Sequence, residues 1–293
     1  MGLTWQQGPL APGATGRFLV AEPLPERLLY AEPLRRRMRV QFGARWIADS
    51  EDVMLLHEPG RYPVAYFPRA DIRQDALART DHVTEHPELG ATAWYAVHDD
   101  ARQAPRGAWE HTAPPRFADV LEDRVAFAWH AMDAFYEEEE RIVGHAADAY
   151  HRIDIRRTAR RLTVHTGDRL LAETGRALVL FESGFAPRWY VPRDDVAAES
   201  LVAVERQTFC PYKGLCSYYD VGGVSRAGWS YRAPYREIER VAGHLSFEPD
   251  RVTVTIDGRR LHAEPGQHVV AHGPDRGLTP GEVAPSRTPV GAA

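Results

Sequence analysis

Lysine and cysteine are nearly absent from this sequence. The chain has 36 Lys and Arg residues, of which one, Lys213, is Lys, and it has two Cys, Cys210 and Cys216. Two Cys cannot make a disulfide framework, and no Cys-x-x-Cys or His-Glu-x-x-His spacing occurs, so we expect no metal site and no cofactor. All three scarce residues fall within one segment, CPYKGLC, at 210–216.

An excess of basic charge and long apolar runs are also missing. The formal net charge of -5 and the pI of about 6.2 argue against a nucleic-acid-binding protein, which needs a basic face for the phosphates. No segment approaches the roughly 20 apolar residues of a membrane span, and residues 1–10 lack the pattern of a secretory signal. We therefore expect a cytoplasmic protein whose partner is a small-molecule ligand rather than nucleic acid or a membrane, and a homodimer stays open.

An internal repeat organises the sequence. Residues 40–97 align without a gap on residues 164–221, with 18 of 58 positions identical, against about 3 or 4 for unrelated sequences of average composition. The longest block of identities is E-x-G-x-x-P-x-x-Y-x-P-R-x-D, which occurs once in each copy, and after a four-residue shift Trp109 aligns with Trp229. Such self-similarity predicts two copies of one domain.

The repeat and its flanks predict four segments: an N-terminal extension over 1–36, a first domain over 37–145, a second domain over 154–262 and a disordered tail over 263–293. Both copies have the pattern of a mostly β fold, with short β-branched and aromatic segments bounded by Gly, Pro and Asp-Gly turns. Only 234–242 predicts a short helix. The expected fold class is mostly β, with two homologous small domains in tandem, each a barrel, a sandwich or a tent-like fold with a short helix.

Several motifs of the second copy resemble a known family. They are Y-x-P-R-x-D from Tyr190, T-x-C-P-Y-K-G-x-x-S-Y-Y from Thr208, W-S-Y from Trp229 and F-x-P-D-R-V from Phe247. In this order they resemble the domain of unknown function 427 family, which is filed as nucleotidyltransferase-like and includes tandem two-copy members. The resemblance spans 37–262 and implies a small, mostly β domain common in bacteria and fungi, without an implied activity. The chain has no G-x-x-x-x-G-K-[ST] phosphate loop, so nucleotidyl transfer does not follow from the filing.

The first copy departs from this pattern at the equivalent of CPYKG. It has the sequence HPELG at 86–90, so the thiol and the ammonium are both absent. Pro and Gly occur in both copies and are predicted to form a tight turn, whereas Cys210 and Lys213 are not needed for that turn and are better candidates for a site. The first copy is therefore either a structural partner or a domain with a different chemistry based on His and Glu.

The candidate catalytic residues of the second copy are Cys210 and Lys213. A Lys buried among aromatic residues loses proton affinity and becomes a base or a Schiff-base nucleophile, whereas a Lys beside a carboxylate stays a cation that holds an anion. A Cys in this setting is a nucleophile if a neighbouring cation lowers its pKa, and otherwise an inert core residue. The candidate substrate-binding residues are Glu182, Tyr190, Arg193, Tyr212, Trp229 and Tyr231. Glu182 and Arg193 are alternatively a structural ion pair.

The first copy contributes Glu58 and His86 as further candidate catalytic residues, and His82 and His111 as candidate binding residues. Together with His57 they make an unusual density of side chains suited to acid–base catalysis. These side chains either converge on one pocket or scatter over a surface, and spacing alone leaves both arrangements open.

The leading expectation for function is a small-molecule metabolic enzyme that acts on a polar, anionic metabolite by acid–base or nucleophilic chemistry. The first alternative is a noncatalytic ligand-binding or assembly module. The second alternative is a nucleotide-binding protein or nucleotidyltransferase, as the filing of the family suggests. The residues name neither a substrate nor a reaction.

Overall fold

The structure is a computed structural model that describes residues 3–4, 8–11, 13–14 and 16–263. Within these ranges the chain folds into 22 β-strands, paired antiparallel, and seven short 3-10 helices, and no closed barrel forms. The predicted mostly β fold class and its tandem layout are confirmed. The predicted tail, 263–293, lies outside the described residues apart from residue 263.

The first domain contains eleven strands in two sheets. The strands are β1 (Tyr30–Pro33), β2 (Met38–Phe42), β3 (Arg45–Ser50), β4 (Met54–His57), β5 (Val64–Pro68), β6 (Leu77–His86), β7 (Gly90–His98), β8 (Gln103–His111), β9 (Arg124–Phe127), β10 (Ala134–Glu137) and β11 (Glu140–Ile142). The sheet orders are β1-β4-β5-β9-β8-β7-β6 and β11-β10-β2-β3. Four 3-10 helices connect them, Arg69–Asp71, Gln74–Ala76, Arg116–Leu121 and Trp129–Ala131.

The second domain repeats this arrangement with eleven strands in three sheets. The strands are β12 (Ile153–Arg157), β13 (Leu162–Thr166), β14 (Arg169–Thr174), β15 (Leu178–Glu182), β16 (Arg188–Tyr190), β17 (Leu201–Cys210), β18 (Gly214–Val221), β19 (Val224–Pro234), β20 (Ser246–Phe247), β21 (Thr253–Ile256) and β22 (Arg259–Arg260). The sheet orders are β12-β15-β16, β17-β18-β19-β20 and β14-β13-β21-β22. Three 3-10 helices accompany them, Arg193–Asp195, Ala198–Ser200 and Arg236–Val241, and the last is the short helix predicted over 234–242.

In each domain the sheets pack face to face as a sandwich. In the first domain Val40 of β2 and Phe67 of β5 belong to the core between the sheets, since successive side chains of a strand point to opposite faces. The other side of the seven-stranded sheet, which we call the outer face, carries a second core that Leu121 of a 3-10 helix covers. The second domain has the same two layers, with Val241 covering its outer face.

Irregularities in strand pairing recur at equivalent positions of the two domains. Register shifts in the first domain lie at Val40/Gln41, Arg79/Val83 and Tyr95/Val97. Their equivalents in the second domain lie at Val164/His165, Ala203/Gln207 and Tyr219/Val221. The four-residue shift of the sequence alignment falls in the next hairpin, where Gly222 and Gly223, both at positive φ, make a two-residue turn in place of the six residues 98–103.

The two domains differ at one junction between strands, which we call the seam: β5 meets β9 there in the first domain, and Val191 meets Leu245 in the second. In the first domain β5 and β9 pair through three residues each, which joins all seven strands into one sheet. In the second domain the equivalent contact is a single bridge between Val191 and Leu245, so the sheet divides into β12-β15-β16 and β17-β18-β19-β20. The candidate site described below lies across this seam.

The segment between the domains packs against the turn of the CPYKG sequence. A Cβ added at Gly144 would meet the side chain of Pro211 at 3.6 Å, and Gly144 has a φ of +94°. The domains are thus joined by a packed linker, which we define as residues 143–152.

At the N-terminal end of the first domain, β1 lies within the segment predicted as an N-terminal extension. It pairs with β4 as β12 pairs with β15 in the second domain.

Candidate ligand-binding site

A cleft of about 230 Å³ opens on the outer face of the second domain. Strands from both sides of the seam contribute to it, because Tyr190 lies on β16 and Trp229 lies on β19. The lining residues are Leu180, Glu182, Phe185, Arg188, Tyr190, Lys213, Cys216, Tyr218, Trp229, Tyr231 and Glu248. Aromatic walls with a few charged groups are typical of small-molecule sites.

An ion pair between Lys213 and Glu182 lies among these lining residues. The Lys213 ammonium donates a short hydrogen bond to Oε2 of Glu182, and Nε2 of His151 lies 3.1 Å from Oε1. The side chains of Lys213 and Glu182 are 14% and 3% exposed. Both oxygens of the buried carboxylate therefore have a partner, as a charge removed from water requires.

Burial and pairing act in opposite directions on the charges of this pair. Burial disfavours the ammonium form of Lys213, but the Glu182 carboxylate and the nearby Cys210 and Tyr190 raise the pKa of Lys213 above its ordinary value. Burial likewise disfavours the Glu182 carboxylate, but Lys213 and His151 lower the pKa of Glu182 to about 2. Lys213 is therefore a cation at neutral pH, so of the two roles expected from the sequence the structure favours the cation over the base.

His151 takes a defined tautomer beside the ion pair. Burial is the largest cause that lowers the pKa of His151, so the ring is neutral at neutral pH. Its Nδ1 is buried and has no hydrogen-bond partner in the described part of the chain. The single ring proton therefore belongs on Nε2, where it is donated to Glu182.

Aromatic side chains form the walls of the cleft. Trp229 donates its indole N–H to the hydroxyl of Tyr190 at 3.4 Å. The Phe185 ring lies 5.8 Å from the Lys213 ammonium. At the other end Arg188 places its guanidinium 5.8 Å from the Trp229 ring and 4.0 Å from a carboxylate oxygen of Glu248. The site thus holds two cations and two carboxylates around an aromatic interior.

The two thiols are poor nucleophiles in this environment. Cys216 is buried in the wall of the cleft, and burial raises its pKa to about 11. Cys210 ends β17 next to the turn, and burial raises its pKa more than the neighbouring Lys213 lowers it. Both groups are therefore protonated thiols at neutral pH, which favours the core interpretation of Cys210 over the nucleophile.

The equivalent region of the first domain is filled. Leu89 stands at the position of Lys213 and Trp94 at that of Tyr218, and both are fully buried. Trp109, the equivalent of Trp229, packs into the same core. On the outer face of the first domain, these positions are therefore filled by buried side chains at the place where the second domain has its cleft.

Three of the five His and Glu residues expected in the first domain do meet. His86 Nε2 lies 2.9 Å from Glu58 Oε2, and the rings of His86 and His111 are 5.4 Å apart. Burial lowers the pKa of His111 to about 4, and the ring lies between the hydroxyls of Tyr66 at 2.9 Å and Thr92 at 3.0 Å.

The other two His residues lie apart from this cluster. His82 is exposed on β6. His57 is fully buried, and its Nε2 lies 3.1 Å from Glu32 instead. The first-domain candidates thus divide into a buried cluster and two separate side chains.

Arg193 lies away from the cleft. It is exposed, and its guanidinium lies 5.4 Å from the ring of Tyr219, which belongs to the core between the sheets. The expected Glu182–Arg193 ion pair is wrong, because Glu182 is paired with Lys213 and His151. The equivalent Arg69 likewise pairs with Glu110 rather than with Glu58.

Five of the residues expected from the sequence line the cleft, namely Glu182, Tyr190, Lys213, Trp229 and Tyr231. Tyr212 packs against the linker, where its ring stacks on His151 at 3.7 Å. Sequence reasoning missed Leu180, Phe185, Arg188, Cys216, Tyr218 and Glu248. A signal for two of them was present, because Cys216 and Tyr218 are two residues apart on β18 and therefore face the same side.

The described residues contain neither a metal-binding cluster nor a membrane-spanning helix. No group of three or more His, Cys, Asp and Glu is placed to hold a metal ion there. In the same ranges no helix has the length and apolar character needed to cross a membrane.

Comparison with known proteins identifies the two halves of the chain. A family model described as a domain of unknown function (DUF427) matches twice, over residues 30–138 and 154–258. The two matches cover the two domains of the structure, and the first includes β1. No curated protein matches the chain.

Proposed function

We propose that this protein, which belongs to the domain of unknown function 427 family through both of its domains, is an enzyme that binds a small polar metabolite in the cleft of the second domain. Lys213 is the group that recognises an oxygen-bearing, anionic part of the ligand. Tyr190, Trp229 and the other aromatic lining residues hold the remainder.

The observation that carries this proposal is the buried ammonium of Lys213 in the cleft. The fold itself does not require an ammonium at this position. Removing a charged group from water costs several kcal/mol, on the order of the stability of a small domain. The first domain completes the same turn and the same outer face with Leu89 at this position. The ammonium has three N–H donors, and within the described residues Glu182 accepts one of them, which leaves two for a ligand.

The charges around the cleft describe how an anion would bind. Lys213 and Arg188 are balanced by Glu182 and Glu248, so the site has no net charge to attract anions over a distance. Recognition then depends on directed hydrogen bonds, for which the ammonium and the Tyr190 hydroxyl supply donors. Charge-assisted hydrogen bonds of this kind are stronger than neutral ones and fix the orientation of the ligand.

The same groups suggest a mechanism of the acid–base type. A fixed ammonium stabilises negative charge that develops on a substrate oxygen, and a preorganised donor is most effective where water is excluded. An anionic ligand that competes for Lys213 weakens the interaction that keeps the pKa of Glu182 low. Glu182 then gains proton affinity and can accept a proton from the ligand. Nucleophilic catalysis by Cys210 has less support, because its pKa is raised.

A noncatalytic ligand-binding module is the second candidate. The pKa of Lys213 is raised and that of Glu182 is lowered to about 2, so neither group is poised near neutral pH before a ligand binds. Efficient general acids and bases have a pKa close to the working pH. Binding without turnover would fit these values, and a nucleotide is one of the ligands to be tested in either case.

The lone Lys makes the test direct. Protein labelled with ¹³C and ¹⁵N in Lys gives one side-chain ammonium signal, that of Lys213. We would titrate it with acetate, benzoate, inorganic phosphate and AMP, the last with and without Mg²⁺, and record thermal unfolding in parallel. We expect at least one anion to shift the signal and raise the unfolding temperature, since a ligand at 100 times its Kd stabilises by about 2.7 kcal/mol.

The controls separate binding in the cleft from binding elsewhere. Lys213→Met should abolish the thermal shift, whereas Leu89→Met, at the equivalent position of the first domain, should keep it. Lys213→Arg keeps a cation and serves if Lys213→Met does not fold. The proposal is abandoned if none of the probes moves the Lys213 signal at millimolar concentration, or if Lys213→Met binds as the unmodified protein does.

A further inference from the structure

A column of four rings runs from the first domain through the linker to the ion pair of the second domain. Tyr62, in the loop between β4 and β5, stacks on His145 of the linker with ring centroids 3.8 Å apart. His145 lies 5.4 Å from the ring of Tyr212, and Tyr212 stacks on His151 at 3.7 Å. His151 in turn donates to Glu182.

From this column we infer that Tyr62 of the first domain is a positioning residue for the Lys213–Glu182 pair of the second domain. The inference rests on the proposed function, because positioning this pair matters for function only if the cleft of the second domain binds a ligand. It assigns the first domain a role in the cleft of the second, although the first domain has no ammonium of its own at the equivalent position.

Tyr212 connects the column to Lys213 through the backbone. The two residues are neighbours in the turn, so a Tyr212 ring held between His145 and His151 restricts where the Lys213 backbone lies. The Tyr212 hydroxyl also accepts the backbone N–H of Asp148 at 3.1 Å. The linker therefore contacts Tyr212 of the turn both at its ring and at its hydroxyl.

His151 connects the column to Glu182 through a side chain. Its Nε2 proton fixes Oε1 of Glu182 and leaves Oε2 for Lys213. Tyr212 covers the face of this ring, and the rings of His145 and Tyr62 lie in turn behind Tyr212. Stacked aromatic pairs have a preferred geometry, so each ring of the column favours one orientation of the next.

The first domain shows the alternative to such a column. Arg27 stands at the position of His151 and Glu88 at that of Tyr212. They form an ion pair at 2.7 Å, and Arg27 is 40% exposed. This partly exposed ion pair lies beside the buried Glu58, which Arg27 approaches at 3.5 Å, and no ammonium has to be positioned there.

The Lys213 ammonium reports on this arrangement without a ligand. Its protons exchange with water when the ammonium transfers a proton, and the pair with Glu182 opposes that transfer by favouring the charged form, so the exchange rate reports how firmly the pair is held. In full-length protein labelled in Lys we expect Tyr62→Leu to make this exchange roughly tenfold faster, with a change in the ¹³Cε shift. Tyr62→Phe, which keeps the ring and loses the hydroxyl, should restore the rate of the unmodified protein.

A matched control removes a Tyr ring elsewhere in the first domain. Tyr136→Leu breaks an edge contact of 5.1 Å with Trp46 and should leave the Lys213 exchange rate unchanged. If Tyr62→Leu does not fold, His145→Leu breaks the same stack from the linker side, and the same criterion applies. Equal exchange rates in the unmodified protein and in the Leu variant would overturn the inference. Since no ligand is present, this outcome is independent of whether the anion titration succeeds.

Discussion

The outer face of the large sheet is a closed core in the first domain and an open cleft in the second. Leu89 and Trp94 are fully buried in the first domain. Their equivalents Lys213 and Tyr218 border the cleft in the second, beside a sheet that is divided at the seam. The same scaffold therefore folds with or without the cleft, and Lys213 and Tyr218, which border the cleft, are not required by the scaffold.

The buried carboxylate, in contrast, is present in both domains, as Glu58 in the first and Glu182 in the second. Glu58 is 4% exposed and is approached by His86, by Arg61 at 3.3 Å and by Arg27 at 3.5 Å. Glu182 is equally buried, but its cation is Lys213 and its second partner is His151. The carboxylate belongs to the scaffold, whereas the identity of the cation distinguishes the two sites.

The largest effect is expected when the distinguishing Lys is introduced into the closed core. Leu89→Lys places an ammonium among Trp94 and Trp109, beside a Glu58 that already has its partners, and should cost about 4 kcal/mol or more in the free energy of unfolding. Urea denaturation measures this loss, and Leu89→Met should cost less than about 1.5 kcal/mol. A tolerated Leu89→Lys would mean that either domain accepts a Lys, and the contrast between the two faces would be lost.

Neutralising the two buried carboxylates should have unequal effects. Glu182→Gln leaves the Lys213 ammonium buried without its counter-charge and should cost about 3–5 kcal/mol. Glu58→Gln should cost about 1–2 kcal/mol, because Arg27 and Arg61 are partly exposed and regain water. Both values come from urea denaturation at pH 7. Equal losses would show that the ion pair of the second domain is no more dependent on its partner than that of the first.

The acid dependence of stability should sharpen the same contrast. The ordinary pKa of Glu is about 4.5, and that of Glu182 in the folded chain is about 2. The folded-state pKa lies below the unfolded one, so the contribution of Glu182 is complete above pH 4.5 and is lost as the pH falls from 4.5 to 2. Urea denaturation at a series of pH values should therefore show the difference between the unmodified protein and Glu182→Gln shrinking through this window. A difference that stays constant from pH 6 to pH 3 would contradict the lowered pKa.

The smallest effect is expected where the two faces differ without a change of charge. Cys216→Thr introduces the residue that the first domain has at Thr92 and should alter the free energy of unfolding by about 1 kcal/mol or less. Iodoacetamide at pH 8 should modify Cys216 at least about 100-fold more slowly in folded than in urea-unfolded protein, because its raised pKa leaves little thiolate. Rapid alkylation of Cys216 in the folded chain would contradict its raised pKa and would make Cys216 a candidate nucleophile again.

Much of the fold could be predicted from the sequence because its signals are local. The Gly167-Asp168 pair predicts the hairpin of β13 and β14, and the alternating residues before Asp257-Gly258 predict β21. The repeat predicts the tandem layout, and the departure at Lys213 points to the second domain. These features depend on turn chemistry and on residue spacing, both of which are visible in one sequence.

The partners within the site could not be predicted in the same way. Glu182 and Lys213 are 31 residues apart and meet only through the pairing of separate strands, and a shift of one residue in register would turn a side chain to the other face. Arg193, which the shared motif made attractive, projects from the wrong side of the sheet. Tyr62 and His145 carry no periodic signal, because their stack depends on how two domains and a linker pack.

The register shifts that recur in both domains indicate whether the irregular scaffold arose before or after the two domains diverged. Each shift inserts extra residues into one strand of a pair, one at Val40/Gln41 and two at both Arg79/Val83 and Tyr95/Val97, and the second domain repeats these numbers. Three such shifts at equivalent positions, from Val40/Gln41 to Tyr219/Val221, are most simply inherited from one ancestral domain rather than acquired twice. The irregular scaffold therefore predates the duplication of the domain, and the difference between Leu89 and Lys213 arose after it.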